Sequence, residues 1–214
     1  MYRPHDLLWL TDPAALITDG PMPAWATAPW LAVAPVVVRR AKPAQPDRLP
    51  VGLRGATRSE RCAAQVPLVQ VLRAETPEEI VRAWLRHAGR RPHRVPCLQA
   101  LAALAPALDA QALAWGVTGS VGFTLASGFD VLRPGSDLDL LIRAPRSTDA
   151  KALRHVAALL EGMPARVDVQ VETPMGAFAL REWSRTGGSV LLKTIAGPVL
   201  ADDPWRLAAH ATTA

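Results

Sequence analysis

Trp115-Gly116-Val117-Thr118-Gly119-Ser120, followed seventeen residues later by Asp137-Leu138-Asp139-Leu140-Leu141-Ile142, is the stretch on which the fold turns. The first run reads as a short strand that ends in a Gly-Ser turn, with a helix beginning over Val121 to Ala126. The second reads as a buried strand. On extended backbone, side chains i and i+2 share a face with Cα atoms about 6.6 Å apart. Asp137 and Asp139 therefore point the same way while Leu138 and Leu140 enter the core. An Asp-x-Asp pair alone also fits a solvated strand edge. The apolar run Leu140 to Ile142 weighs against that, because aspartate does not enter a buried strand twice without partners. Two carboxylates converging beside an open face suit a hard cation such as Mg²⁺, with Mn²⁺ as the substitute, which keeps waters and accepts substrate phosphate oxygens.

Gly119 and Ser120 supply what the aspartates lack. A strand-to-helix turn leaves backbone N–H groups without partners at the positive end of the helix, glycine lets an oxyanion come close, and serine adds a hydroxyl. This makes the turn a candidate phosphate seat. Ser136 either caps the turn before Asp137 or touches the same phosphates. Ala165-Arg166-Val167-Asp168-Val169-Gln170-Val171 alternates apolar and polar residues, as a half-buried strand does, and sets Asp168 on its polar face as a third carboxylate.

The chain has 214 residues, half of them hydrophobic, enough for one large domain or two small ones. Cys62 and Cys97 show no metal-ligand spacing and read as free thiols. Asp6, Thr11, Asp12 and Pro13 interrupt the apolar run near the N-terminus, so neither a secretory leader nor a membrane span is expected, and the location is expected to be cytoplasmic. The basic excess is local. Residues 1–94 carry 14 Lys and Arg against 8 Asp and Glu, and residues 95–214 carry 10 against 11.

Leu7–Leu10, Ala34–Arg39 and Pro50–Gly55 are strand candidates, with a basic helix expected over Thr57–Gln65. Thr76 as N-cap, Pro77 at the first helical position and Glu79 three residues on predict a helix to about Ala88. The segment Gly89–Arg94 marks a boundary. It divides the chain into residues 1–91, a small mixed-sheet domain suited to substrate or partner contact, and residues 92–214, the catalytic domain. In the latter, helices are expected over Cys97–Leu108 and Thr148–Leu160, and another starts at Thr173-Pro174 and carries Phe178, Leu180 and Trp183. A last strand covers Ser189–Lys193. The fold class is α/β, or more strictly α+β.

A Gly-Ser turn, an Asp-x-Asp strand and one Asp on a neighbouring strand together resemble the nucleotidyltransferase superfamily. Two longer runs, Trp115 to Phe123 and Arg133-Pro-Gly-Ser-Asp-Leu-Asp-Leu-Leu-Ile-Arg143, look more narrowly like the phosphoribosyl-dephospho-CoA transferases of malonate decarboxylase operons. Arg3 to Trp9, Val51 to Arg61, and Leu191-Leu192-Lys193-Thr194 before Gly197-Pro198 look like the same family. The resemblance implies a holo-acyl-carrier-protein synthase. Such an enzyme takes 2′-(5″-triphosphoribosyl)-3′-dephospho-CoA, attaches its phosphoribosyl-dephospho-CoA part to a serine of the apo acyl carrier protein subunit of malonate decarboxylase, and releases diphosphate. It also implies that Asp137, Asp139 and Asp168 hold metal, with Asp168 a candidate base, and that Gly119 and Ser120 hold the departing diphosphate.

Other residues carry two readings each. Lys193 is a phosphate ligand or an exposed strand-end lysine, and Arg133 reaches the triphosphate or is solvated on its loop. Arg54, Arg58 and Arg61 form a patch for the carrier protein or the CoA-like phosphates, or a solvated helix face. His5 reads as structural, and most of the seven tryptophans as core. Two rival functions stay open. One is a nucleotidyltransferase that uses an ordinary nucleoside triphosphate on protein, tRNA or a small molecule. The other is a basic nucleic-acid-binding module without catalysis, against which the near-neutral second half argues.

Overall fold

The computed structural model describes residues 2–87 and 94–206. The expected boundary at Gly89–Arg94 lies, up to His93, outside the described residues. By packing, the chain forms two units, Met1–Arg91 with Gly116–Arg133, and Pro92–Trp115 with Pro134–Ala214. Gly116–Arg133, which the sequence reading left with the second domain, thus packs with the first. No helix among the described residues is long and apolar enough to cross a membrane.

The first unit is built on β1 (Leu7–Leu10), α1 (Ala28–Leu31), β2 (Val36–Val38), β3 (Arg48–Arg54), β4 (Arg61–Pro67), β5 (Val71–Glu75) and α2 (Pro77–His87). Its strands form an antiparallel sheet in the order β4-β3-β2-β1-β5. Leu8, Val36, Val38, Val51, Leu53, Ala64 and Val66 make its core. The helix expected over Thr57–Gln65 is instead a turn and β4. Ala64 and Val66 bury on alternate positions of a hairpin whose register runs from Arg54↔Arg61 to Arg48↔Pro67. A period of two overrides the helix-favouring alanines there. At α2, the Thr76 and Glu79 side chains each accept from the other's backbone N–H, at 2.8 and 3.2 Å, which is the expected capping box.

Then follow α3 (Pro96–Asp109), β6 (Ala114–Val117), α4 (Gly119–Ser127), β7 (Leu138–Arg143), α5 (Ala150–Leu159), β8 (Val167–Thr173), β9 (Gly176–Ala179), α6 (Leu180–Thr186), β10 (Val190–Thr194) and β11 (Gly197–Ala201). The second sheet has the order β11-β10-β9-β8-β7-β6. β7 and β8 run parallel, as a strand-helix-strand unit with α5 as the crossover requires. α3 packs on β7, α6 on β8, β9 and β10, and α5 on both helices.

The helix expected from Thr173-Pro174 does not form there. Thr173 ends β8 and its hydroxyl accepts from the N–H of Met175 and Gly176, at 3.2 and 3.3 Å, so the chain turns back into β9. Phe178 lies on that strand, and the helix with Leu180 and Trp183 starts six residues later than its Thr-Pro signal implied. Among the described residues, two sheets and six helices make the fold α+β, as the sequence pattern indicates.

Candidate active site

The carboxylates are positioned by register. Asp139 on β7 pairs with Asp168 on the parallel strand β8. Leu138, Leu140 and Ile142 are buried, while Asp139 stays half-buried on the opposite face. The Leu138 N–H donates to the Arg166 carbonyl at 2.8 Å, and Asp137 and Arg166 directly precede the two paired strands. Asp139 and Asp168 thus share one face, with Arg166 bonded to Asp168 and Asp137 just before β7. The Arg166 Nε and Nη2 each donate to Asp168 Oδ1 at 3.2 Å, and Nη2 lies 3.1 Å from Oδ2.

Like charges opposite one another on adjacent strands repel, and Arg166 supplies one counter-charge beside Asp139 and Asp168. All the acceptors are carboxylate oxygens, which fits Mg²⁺ or Mn²⁺ as the hard cation. No three His, Cys, Asp or Glu side chains among the described residues converge closely enough to enclose a metal by themselves. The donor set fits the open kind of site, in which one or two carboxylates hold the ion and substrate oxygens complete its shell. Asp137 also reaches α3 electrostatically. Burial pushes the Cys97 thiol up, and the Asp137 carboxylate adds to the rise after two backbone hydrogen bonds oppose it. Cys97 is fully buried and no disulfide forms, so the free-thiol reading holds.

The Gly-Ser turn belongs to the first unit and is built there in detail. Gly119 begins α4 with φ of 60°, a conformation glycine adopts without strain. Gly116, just before it, comes so close to the start of α2 that a Cβ would stand 2.2 Å from the Pro77 carbonyl carbon. The Ser120 hydroxyl accepts from Arg54 Nη2 at 2.8 Å. The Arg54 guanidinium lies 5.2 Å from the centre of the Phe123 ring, and its backbone carbonyl accepts from Trp30 Nε1 at 2.8 Å. Trp30, Phe123 and Phe129 stack on one another with ring centres 4.8 to 6.4 Å apart. One of the three N-terminal arginines thus reaches the candidate phosphate seat. Arg58 is exposed in the β3–β4 turn and Arg61 opens β4, so no helix face unites the three.

The remaining expected residues spread out. Ser136 is half-buried next to Asp137. Arg133 is exposed and donates to the Leu132 carbonyl at 2.9 Å. Lys193 is exposed on β10, in the row that runs through Ala177 and Glu172 to Arg143. That row is four residues, about 13 Å, along β8 from Asp168, and β10 is two strand spacings from β8. The structure does not bring Lys193 to the aspartates. His5 sits at a turn with φ of 76° and its N–H donates to the Val38 carbonyl at 2.9 Å, in keeping with a structural role. Arg166 went unnoticed in the sequence, although its spacing of two from Asp168 on an alternating strand signals a shared face.

Comparison with protein families matches residues 3–77 to the N-terminal domain, and residues 84–204 to the C-terminal domain, of the MdcG phosphoribosyl-dephospho-CoA transferases. A curated phosphoribosyl-dephospho-CoA transferase of Pseudomonas putida strain W619 is 48% identical over 205 residues, 96% of each chain. One of Klebsiella pneumoniae strain 342 is 46% identical over 203 residues, 95% of this chain and 96% of the relative. One of Azotobacter vinelandii is 44% identical over 208 residues, 95% of this chain and 94% of the relative. No solved structure matches. With both domain models matched and relatives this similar along nearly the whole chain, the chain belongs to the phosphoribosyl-dephospho-CoA transferase family and is a transferase enzyme.

Proposed function

We propose that the chain transfers the phosphoribosyl-dephospho-CoA group of 2′-(5″-triphosphoribosyl)-3′-dephospho-CoA to a serine of the apo acyl carrier protein subunit of malonate decarboxylase, with release of diphosphate. The register that sets Asp139 beside Asp168, with Asp137 at the entry to the same strand, carries this reading. In the transfer, the serine oxygen attacks the α-phosphorus. A new P–O bond forms, the bond to the bridging oxygen between α- and β-phosphates breaks, and diphosphate departs with that oxygen.

Asp137 and Asp139, with Asp168 as the third carboxylate, would hold Mg²⁺ or Mn²⁺, which would supply charge neutralisation to the phosphate oxygens and make the attacking hydroxyl more acidic. Asp168 would accept the serine proton, through the carboxylate oxygens that accept from Arg166 in the chain alone. Gly119 and Ser120 offer backbone N–H groups at the start of α4 to phosphate oxygens. The Ser120 hydroxyl is oriented by Arg54, which frees its own proton for donation to a phosphate oxygen.

Intact-protein mass spectrometry tests the reading. Apo carrier subunit incubated with the chain, Mg²⁺ and triphosphoribosyl-dephospho-CoA is expected to gain the mass of one phosphoribosyl-dephospho-CoA group, with no gain for Asp137→Ala. Absence of a gain with the wild-type chain, but a gain on another carrier protein, would replace the acceptor. A gain undiminished in Asp137→Ala would overturn the metal-site assignment.

A further inference from the structure

Arg166 pairs with Asp168, the residue beside Asp139, and it also lines a shallow cavity that is wide open to solvent. The cavity, of about 520 Å³, is bounded by Leu160 to Val167 and by Arg181, with Glu161 as its lone carboxylate. Two arginines therefore border a space that opens beside the N-terminal end of β8. One of them is bonded to the carboxylate that stands next to Asp139. An exposed pair of this kind contributes little to stability. Arg166 is 68% exposed and Asp168 39%, so each side chain exchanges partners at small cost. The planar fork of arginine matches a carboxylate and a phosphate equally well.

We propose that Arg166 is a phosphate-binding residue of the transfer that changes partners. In the chain alone it neutralises Asp168. When the metal-bound triphosphate arrives, it turns into the cavity and, with Arg181, holds the terminal phosphates that leave as diphosphate. Asp168 is thereby released to act on the incoming serine, and the exchange couples polyphosphate binding to exposure of the third carboxylate. The inference rests on the reading of Asp137, Asp139 and Asp168 as the metal-holding face.

The coupling has opposite signs in two binding measurements. Mn²⁺ affinity, followed by electron paramagnetic resonance of the free ion, and affinity for inorganic triphosphate with Mg²⁺ present, followed by calorimetry, are compared in the full-length wild type, Arg166→Gln and Asp137→Asn. Arg166→Gln removes the competitor at Asp168 and is expected to bind Mn²⁺ about threefold more tightly. It also loses one charge-assisted contact and is expected to bind triphosphate about tenfold more weakly. Arg166→Lys, which keeps the charge and loses the fork, is expected to fall between the two. An unchanged or weakened Mn²⁺ affinity in Arg166→Gln overturns the exchange, and an unchanged triphosphate affinity overturns the phosphate role. Wild-type Mn²⁺ binding that persists in Asp137→Asn instead overturns the metal-face reading beneath it, which sets that failure apart from a failure of Arg166.

Discussion

The two ends of the β7–β8 pair carry the same chemistry in different surroundings. At one end Arg166 pairs with Asp168, and at the other Arg143 pairs with Glu172, on the same face of the same two strands. The first pair is 68% and 39% exposed, the second 12% and 9%. Around the second, the Ala144 N–H donates to the Glu172 carbonyl at 2.8 Å, Trp205 Nε1 donates to the Ala144 carbonyl at 2.8 Å, and the Thr173 hydroxyl donates to the Pro204 carbonyl at 2.7 Å. Burial turns an arginine and a carboxylate into a clasp that holds the last strand ends together. Exposure leaves the same two groups able to trade partners. The same two functional groups thus differ in their solvent at the two ends, and the register alone does not distinguish them.

The largest effect should come from the exposed end. Asp137→Ala is expected to lower the rate of carrier modification on the order of a thousandfold, while its melting temperature stays within about 2 °C of wild type. A large loss of melting temperature would instead make the face structural. The buried end should answer in the reverse sense. Glu172→Ala leaves a buried guanidinium without its carboxylate and is expected to cost about 3 kcal/mol in urea unfolding, with the activity of the folded fraction retained. Replacing Arg143 and Glu172 together by methionine should recover most of that loss, because no charge is then stranded. If the double variant is as unstable as the single one, the clasp works through packing rather than charge.

Arg54→Ala should fall between these extremes. Loss of its bond to Ser120 is expected to reduce kcat/KM by roughly 10- to 100-fold, and the effect should not add to that of Ser120→Ala, since both remove one shared contact. Additive losses would show that Arg54 acts elsewhere. The smallest effect belongs to Lys193→Ala, on a row remote from the aspartates, where kcat/KM should stay within about twofold. A loss near that of Arg54→Ala would return Lys193 to the phosphate site.

Much of this was readable in the chain. Asp137 and Asp139 were legible because two acids in an apolar strand contradict its burial, and Asp168 because its strand alternates strictly. Arg54 at Ser120 was not, since the residues are 66 positions apart and no local pattern encodes that meeting. Two Thr-Pro pairs mark where the local signal runs out. At Thr76-Pro77 an acid three residues on closes the capping box and a helix follows. At Thr173-Pro174 the third residue on is Gly176, with φ of 158° and its Cβ position only 2.6 Å from the Lys193 carbonyl, and a hairpin follows. The same two letters open either structure, and the residue at the third position decides. β4 was missed for a related reason. Its alanines favour a helix, but pairing along seven residues of β3 outweighs that preference.

The aromatic stack of Trp30, Phe123 and Phe129 draws one residue from the first family domain and two from the second. A gene cut between those domains, within α2, would leave each product with a greasy scar where its partner had been. The second product would also lose the arginine that orients its serine. Expressed separately, the halves should aggregate or be degraded, and expressed together they should rejoin. A shuffling of modules that moved one domain without the other is therefore expected to yield no enzyme, which carrier modification by the halves apart and together would check.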